Sequence, residues 1–251
     1  MHQRRLYAHR GASAERPENT MPAFERAIEV GVDALETDVH LTGDGALIIS
    51  HDEHAQRMTG ARFAYADVTL DDVRHLDAGW GFVGKNGERP YAGKGIGVPT
   101  FEEVLTAFPD VHLNVDLKEP RAIEAMLDIV KRHRAEERVT IASFHTTTAV
   151  AVRRRGYAGE TGLSQGEVAT LITLPALLWR QLPFTGNAAQ VPVKQGPLRF
   201  DRPSFIAKCH AIGLRVDFWV IDDAAEARRL LDLGADGIMT NDPAAIRPVF
   251  T

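Results

Sequence analysis

One pattern recurs along the chain: a short apolar strand, a polar corner, then an amphipathic helix. Strands alternating with helices predict a parallel sheet, because parallel neighbours need a crossover long enough to hold a helix. The strands fall at 6–9, 33–41, 111–118, 139–144, 157–163, 187–192, 215–221 and 236–240, with no linker between them. Eight such strands in 251 residues match the size of an eightfold β/α barrel of the TIM type, which folds as one unit. The reading is therefore α/β, an eight-stranded parallel barrel forming a single domain over 1–251, in preference to an open doubly wound sheet.

Local signals agree with this. Thr20 stands where a helix with Phe24, Ala27 and Ile28 on one face would be capped, and Gly31 closes it. Asp44-Gly45 favours a tight hairpin that returns over 46–50 and delivers His51-Asp52. From 55 to 97 the alternation lapses into a stretch rich in Gly and aromatics, too long for a plain connection, and is read as a small insertion after the second strand. Thr100 and Glu103 then form a capping-box pattern, and a helix is expected over 121–134.

Composition narrows the class of partner. At 44% hydrophobic and 25% charged, disorder, collagen and coiled coil are excluded, and a formal charge of −5 supplies no global attraction for nucleic acid or anionic lipid. The one cysteine, Cys209, rules out an internal disulfide and any cysteine metal cage, and suits a reducing, cytoplasmic compartment. At the N-terminus His9 and Arg10 interrupt any leader-like apolar run, and the most apolar stretch, 171–179, contains Pro175 and is too short to span a bilayer. That stretch reads as a buried or membrane-touching helix, without stable membrane insertion. Nothing in the sequence fixes the oligomeric state.

Barrel enzymes carry their chemistry at the C-terminal ends of strands, and here those ends are rich in it. Glu36 and Asp38 lie two apart on one strand, so both carboxylates face the mouth, where they repel unless a cation or basic side chain neutralises them. Asp116 and Lys118 repeat the spacing on the next strand. Three carboxylates suit Ca2+ or Mg2+, although solvated strand-end acids and a Lys118–Asp116 salt bridge are the plainer alternatives. His9 and His51 end strands on either side of the acids, where two imidazoles could give and take protons near neutral pH. Arg10 offers a planar fork for phosphate, or an ion pair with Glu18 or Asp33. Trp219 could stack at the mouth or simply be buried. His145 aside, the other histidines read as surface or core groups, and the basic runs 131–134 and 153–155 as helix C-terminal charges.

Taken in order, His9-Arg10-Gly11-Ala12, Pro17-Glu18-Asn19-Thr20, Glu36-Thr37-Asp38-Val39, Thr42-Gly43-Asp44-Gly45 and His51-Asp52 resemble the glycerophosphodiester phosphodiesterases. Downstream, Pro99 to Leu105, Asp116-Leu117-Lys118, Trp219 and Gly234 to Thr240 look like landmarks of the same family, so the resemblance covers essentially the whole chain. It implies a phospholipase-C-like phosphodiesterase barrel that hydrolyses small glycerophosphodiesters to glycerol 3-phosphate and an alcohol. His9 and His51 match its acid and base, Glu36, Asp38 and Asp116 its metal ligands for one divalent cation, Ca2+ or Mg2+. Arg10 and Lys118 match groups that hold phosphate, Trp219 an aromatic near the glycerol, and Glu18 and Asn19 positions at the site edge.

The chain departs from the family pattern in three places. The third acid, commonly Glu, is Asp116. After Trp219 stands Val220-Ile221-Asp222 in place of Thr-Val-Asn, and Asn241 follows Thr240 where Asp is usual. Three rival readings follow. A lysophospholipase D or sphingomyelinase-D-like barrel would act on lipids, a non-catalytic barrel would bind glycerol phosphates, and a phosphate-binding isomerase barrel would leave the early histidines idle.

Overall fold

The computed structural model describes residues 2–174 and 184–250. Most of the expected helix at 171–179 lies outside the described residues; its first residues, Leu171 to Thr173, end the helix Gln165–Thr173. The main strands are β1 (Arg5–His9), β2 (Ala34–Leu41), β3 (Leu47–Ile49), β4 (His112–Leu117), β5 (Val139–Ala142) and β6 (Ala188–Pro192). A small hairpin, β7 (Lys194–Gln195) with β8 (Leu198–Arg199), precedes β9 (Arg215–Trp219) and β10 (Gly237–Thr240).

Hydrogen bonding runs β5-β4-β2-β1-β10-β9-β6, all parallel, and β3 returns antiparallel on β2 as the Asp-Gly turn predicts. Two single bridges close the ring: Ile141 pairs with Thr161, and Gly162 pairs with Ala188. The segment expected as a strand at 157–163 therefore contributes only two bridging residues, and with them the barrel has its eight staves.

Strand parity sorts the side chains into two layers. Leu35, Val39, Leu113, Val115 and Leu117 point outward and pack with Phe24, Phe101, Met126 and Val130 of the surrounding helices. A second cluster, including Val216, Phe218, Ile206 and Leu230, does the same around the later strands. The inward parity carries the polar groups, around a small apolar cluster of Tyr7, Ala34 and Met239. Register places His9 beside Glu36, Glu36 beside Asn114, and Asp38 beside Asp116, so the candidate groups occupy adjacent levels of one interior wall.

Several helix ends follow their sequence signals. Thr100 accepts from the backbone N–H of Glu103, whose carboxylate accepts in return from the Thr100 N–H. The first helix, Met21–Val30, ends on Gly31 at φ +84 as expected, but Thr20 does not cap it with its side chain; its hydroxyl donates to the Pro17 carbonyl at 2.6 Å. The helix expected over 121–134 is an α-helix only over Ile123–Arg132, preceded by a 3-10 turn beginning at Pro120. Between β3 and the helix Phe101–Ala107, the irregular stretch forms short helical turns packed around Met58, Tyr65, Val73 and Ala78, a small apolar cluster of its own.

Candidate active site at the barrel mouth

The C-terminal ends of the strands surround a cavity of about 520 Å³. His9, Arg10, Glu36, Asp38, His51, Asp116, Lys118 and Trp219 all line it, so these eight candidate side chains arrive at one place, while Glu18 and Asn19 stand behind its lining.

The turn after β1 is tightly built. Arg10 adopts φ +58, and Gly11 follows at φ +80, where a Cβ would stand 2.7 Å from the Ala23 carbonyl carbon. Only glycine lets the backbone press so closely on the following helix. The turn brings the Arg10 N–H to within 3.2 Å of Glu36 Oε2 and the Arg10 guanidinium to Glu18 at 3.1 Å and Asp38 at 3.3 Å. Arg10 thus enters the cavity already paired, and Glu18, not Asp33, is its outer partner. Asn19 is fully buried and donates to Asp38 Oδ2 at 3.2 Å while accepting from Thr37 at 2.7 Å, which gives this residue the task of orienting Asp38.

The three carboxylates are not drawn into one cage. Lys118 Nζ sits between two of them, 2.7 Å from Asp38 and 2.6 Å from Asp116. Among the described residues no group of three His, Cys, Asp or Glu forms a ready metal site. Three carboxylates, Glu36, Asp38 and Asp116, share the mouth with two cationic side chains, Arg10 and Lys118. Burial, then the neighbouring Asp38 and Asp116, push the Glu36 carboxyl well above the usual range despite Arg10 and Lys118. Burial also raises Asp116, against the pull of Lys118. For Asp38 burial acts upward, but Lys118 and Arg10 together outweigh it and hold the group low. Between these acids the Lys118 ammonium is pushed up, its attraction to them exceeding the cost of burial.

Each imidazole is anchored through Nδ1. His9 Nδ1 lies 2.8 Å from Asn241 Oδ1, and His51 Nδ1 lies 2.7 Å from Asp52 Oδ1. The orientation of the Asn241 amide is fixed by chemistry, because its Nδ2 donates at 2.9 Å to Asp222, a carboxylate that can only accept. Its oxygen must then face His9, which places the His9 proton on Nδ1. Asp222 also accepts from the Asn241 N–H at 2.7 Å and from Thr240 at 2.9 Å. His9 Nε2 is left toward the cavity, 3.9 Å from Glu36. Burial, followed by Arg10, lowers the affinity of His9 for a second proton.

Arg57, from the irregular stretch, ties the two sides together. It donates to Asp52 at 2.6 Å and to Glu18 at 2.7 and 2.8 Å. Burial alone would raise Asp52, but Arg57 and His51 outweigh it and hold its carboxyl near about 2. His40, read from sequence as an ordinary histidine, has its Nε2 3.2 Å from the His51 carbonyl.

Sequence reasoning missed Asn241, Asp222 and Arg57. For the first two a signal existed: they are two of the departures from the family pattern, and they are bonded to each other. An acid where an amide is usual, and an amide where an acid is usual, together keep the pair's charge while reversing its polarity.

Comparison with known proteins gives a consistent answer. The model of the glycerophosphoryl diester phosphodiesterase family matches residues 9–245. A glycerophosphodiester phosphodiesterase of Caldanaerobacter subterraneus subsp. tengcongensis is 33% identical, over 96% of this chain and 95% of that one. Among solved structures, the glycerophosphoryl diester phosphodiesterase domain of a Mycobacterium tuberculosis protein superposes with a TM-score of 0.87 at 21% identity, covering 98% of each chain. An Oleispira antarctica phosphodiesterase, solved with the product sn-glycerol-3-phosphate, superposes with a TM-score of 0.79 at 23% identity over 98% of this chain and 96% of that one. With the family matched across the barrel and both histidines inside the matched span, this chain belongs to the glycerophosphodiester phosphodiesterase family of phosphoric diester hydrolases.

Proposed function

We propose that this barrel hydrolyses glycerophosphodiesters to glycerol 3-phosphate and an alcohol, with His9 and His51 as the acid–base pair. The observation that carries the reading is the matched anchoring of the two imidazoles: both Nδ1 atoms are occupied, by Asn241 and Asp52, so both Nε2 atoms are free for substrate at one cavity. The product held by the Oleispira antarctica relative supports glycerol phosphate as the moiety retained.

In the first step one histidine takes the proton of the glycerol 2-hydroxyl as its oxygen bonds to phosphorus. The other histidine protonates the departing alcohol oxygen as its bond to phosphorus breaks. The attack is intramolecular, so little orientational entropy remains to be lost. In the second step water opens the cyclic phosphate with the proton transfers reversed. Arg10 and Lys118 stabilise charge on the phosphoryl oxygens, and Trp219 packs against the glycerol.

A divalent cation, Ca2+ or Mg2+, fits this mouth by donor type, since the carboxylates of Glu36, Asp38 and Asp116 line it together and oxygen donors are what a hard cation takes. Glu36, Asp38 and Asp116 would hold it, sharing Asp38 and Asp116 with Lys118. When bound, such an ion supplies Lewis-acid stabilisation of the phosphoryl oxygens. The single cysteine, buried Cys209, suits a cytoplasmic setting, and among the described residues no helix is long and apolar enough to cross a membrane.

The test is release of glycerol 3-phosphate from glycerophosphocholine and glycerophosphoethanolamine after EDTA treatment, with Ca2+ or Mg2+ restored. Metal-dependent release is expected. Folded, metal-supplied protein that releases none would overturn the reading.

A further inference from the structure

The two imidazoles at the mouth are not equally supported. His9 belongs to β1, which is hydrogen-bonded to β2 on one side and β10 on the other. His51 stands past the end of β3, outside any strand, in the turn that the Ser50 N–H ties to the Asp38 carbonyl at 3.0 Å. A group that transfers protons from a loop needs its backbone fixed, because misplacement by about 1 Å at a reacting centre can cost about 10²-fold in rate. Asp52 holds the His51 ring through Nδ1, but as the next residue of the same turn it aligns the imidazole within the turn and does not anchor that residue to the barrel.

The anchor at His51 itself comes from His40. Pairing of β2 with β4 ends at Val39 and Leu117, and His40 is the next residue, buried at the rim. Its Nε2 lies 3.2 Å from the His51 carbonyl oxygen, an atom that can only accept, so Nε2 carries the proton and donates it. Among the described residues this is the one hydrogen bond made to the His51 backbone. The other side of the ring faces Glu119, in the turn after β4, with Nδ1 3.6 Å from Glu119 Oε1. That oxygen also accepts from the Leu41 N–H at 3.0 Å, and Arg121 holds Glu119 Oε2 at 2.7 Å. One buried side chain therefore joins the end of β2, the turn carrying His51 and the turn after β4. Filling that space alone would favour hydrocarbon, because a buried imidazole has a desolvation cost that its polar contacts must offset.

We propose that His40 is a positioning residue for His51: by donating from Nε2 to the His51 carbonyl, it fixes the turn that presents the His51 imidazole to the cavity. The proposal rests on the acid–base role of His51 proposed above and adds the residue that keeps it in place. His40 does not line the cavity, so its effect on the reaction passes through His51. Asp38, two residues earlier on β2, is held independently by Asn19, Arg10 and Lys118, so loss of the His40 side chain leaves that carboxylate with its partners.

The experiment is a double-mutant cycle read as glycerol 3-phosphate release from glycerophosphocholine, with whichever of Ca2+ and Mg2+ supports the parent enzyme. His40→Leu and His40→Met keep bulk at the site and remove the donor. Either one, shown to be folded by circular dichroism and thermal unfolding, should lower kcat by about 10- to 100-fold while KM changes less than about twofold. His40→Gln, whose amide can donate to the same carbonyl, should recover most of that loss. In a His51→Ala background, His40→Leu should alter the residual rate by less than about twofold, because the group it positions is already gone. An equal loss in both backgrounds, or a Gln variant no better than Leu, overturns the proposal, as does parent-like kcat in a folded apolar variant. Failure of both apolar variants to fold would make His40 a support of the fold and overturns it too, and a displaced metal titration would move the effect to Asp38. A parent enzyme that releases no glycerol 3-phosphate from any diester overturns the phosphodiesterase reading itself, which no variant result imitates.

Discussion

His9 and His51 look into one cavity from different surroundings. His9 ends a barrel strand, is mostly buried, and leans on the neutral amide of Asn241. His51 sits in the turn after β3 with its side chain 38% accessible and leans on the carboxylate of Asp52, itself clamped by Arg57. The two imidazoles therefore share an orientation, Nδ1 anchored and Nε2 presented, but differ in the charge behind them. A carboxylate stabilises an imidazolium, whereas an amide fixes the tautomer without adding charge. Under the proposed acid–base roles, this difference sets which histidine holds its proton more readily as the first step begins.

The largest effect tests whether both histidines belong to the pair. His9→Ala and His51→Ala should each lower turnover by roughly 10²–10⁴, measured as glycerol 3-phosphate release. Near-normal turnover in either variant would remove that histidine from the chemistry. Next comes the amide. Asn241→Leu deletes the acceptor at His9 Nδ1 and should cost about 10- to 100-fold in kcat with little change in KM, the scale seen for partners that orient functional histidines. The Nδ1-protonated signature of His9 in nitrogen NMR should weaken in parallel. If the reversed pair Asp222→Asn with Asn241→Asp restores turnover, the bonded pair matters as a unit; additive losses would make the two residues independent.

A smaller effect is expected on the other side. Arg57 is partly exposed, and exposed ion pairs are individually weak, so Arg57→Gln should reduce turnover by only about two- to fivefold. An equal loss for Asn241→Leu and Arg57→Gln would erase the contrast between the two surroundings. The smallest effect concerns acid stability. Asp52 in the fold is held near about 2, below its usual value of 3.8, so its contribution is present above about pH 4 and is lost as pH falls toward 2. Thermal unfolding of Arg57→Gln should therefore depend less steeply on pH across that window, while Asn241→Leu, an uncharged change, should follow the parent slope.

Much of this was legible in the residues. Alternation along 33–41 and 111–118 put Glu36, Asp38, Asp116 and Lys118 on the inward parity, and the register of β2 with β4 sets Asp38 beside Asp116 as that parity implies. Strand ends located His9, and the Asp-Gly hairpin delivered His51. What local pattern could not reach was pairing. The Lys118–Asp116 salt bridge was among the readings, but not the second carboxylate, Asp38, that Lys118 also holds; Arg57 lay in a stretch without periodicity; and the expected strand at 157–163 reduces to two bridges that close the ring.

The sequence by itself determined the layers and the contents of the mouth, because strand parity and strand-end position are local properties that each segment carries alone. Only the tertiary structure decided that Lys118 also holds Asp38, which amide faces His9, and that Phe144 and Trp219 stand edge to face at the mouth. Those outcomes depend on closing the barrel, which brings residues far apart in the chain within a few ångströms and lets Coulomb attraction, hydrogen-bond direction and hydrocarbon burial choose among them.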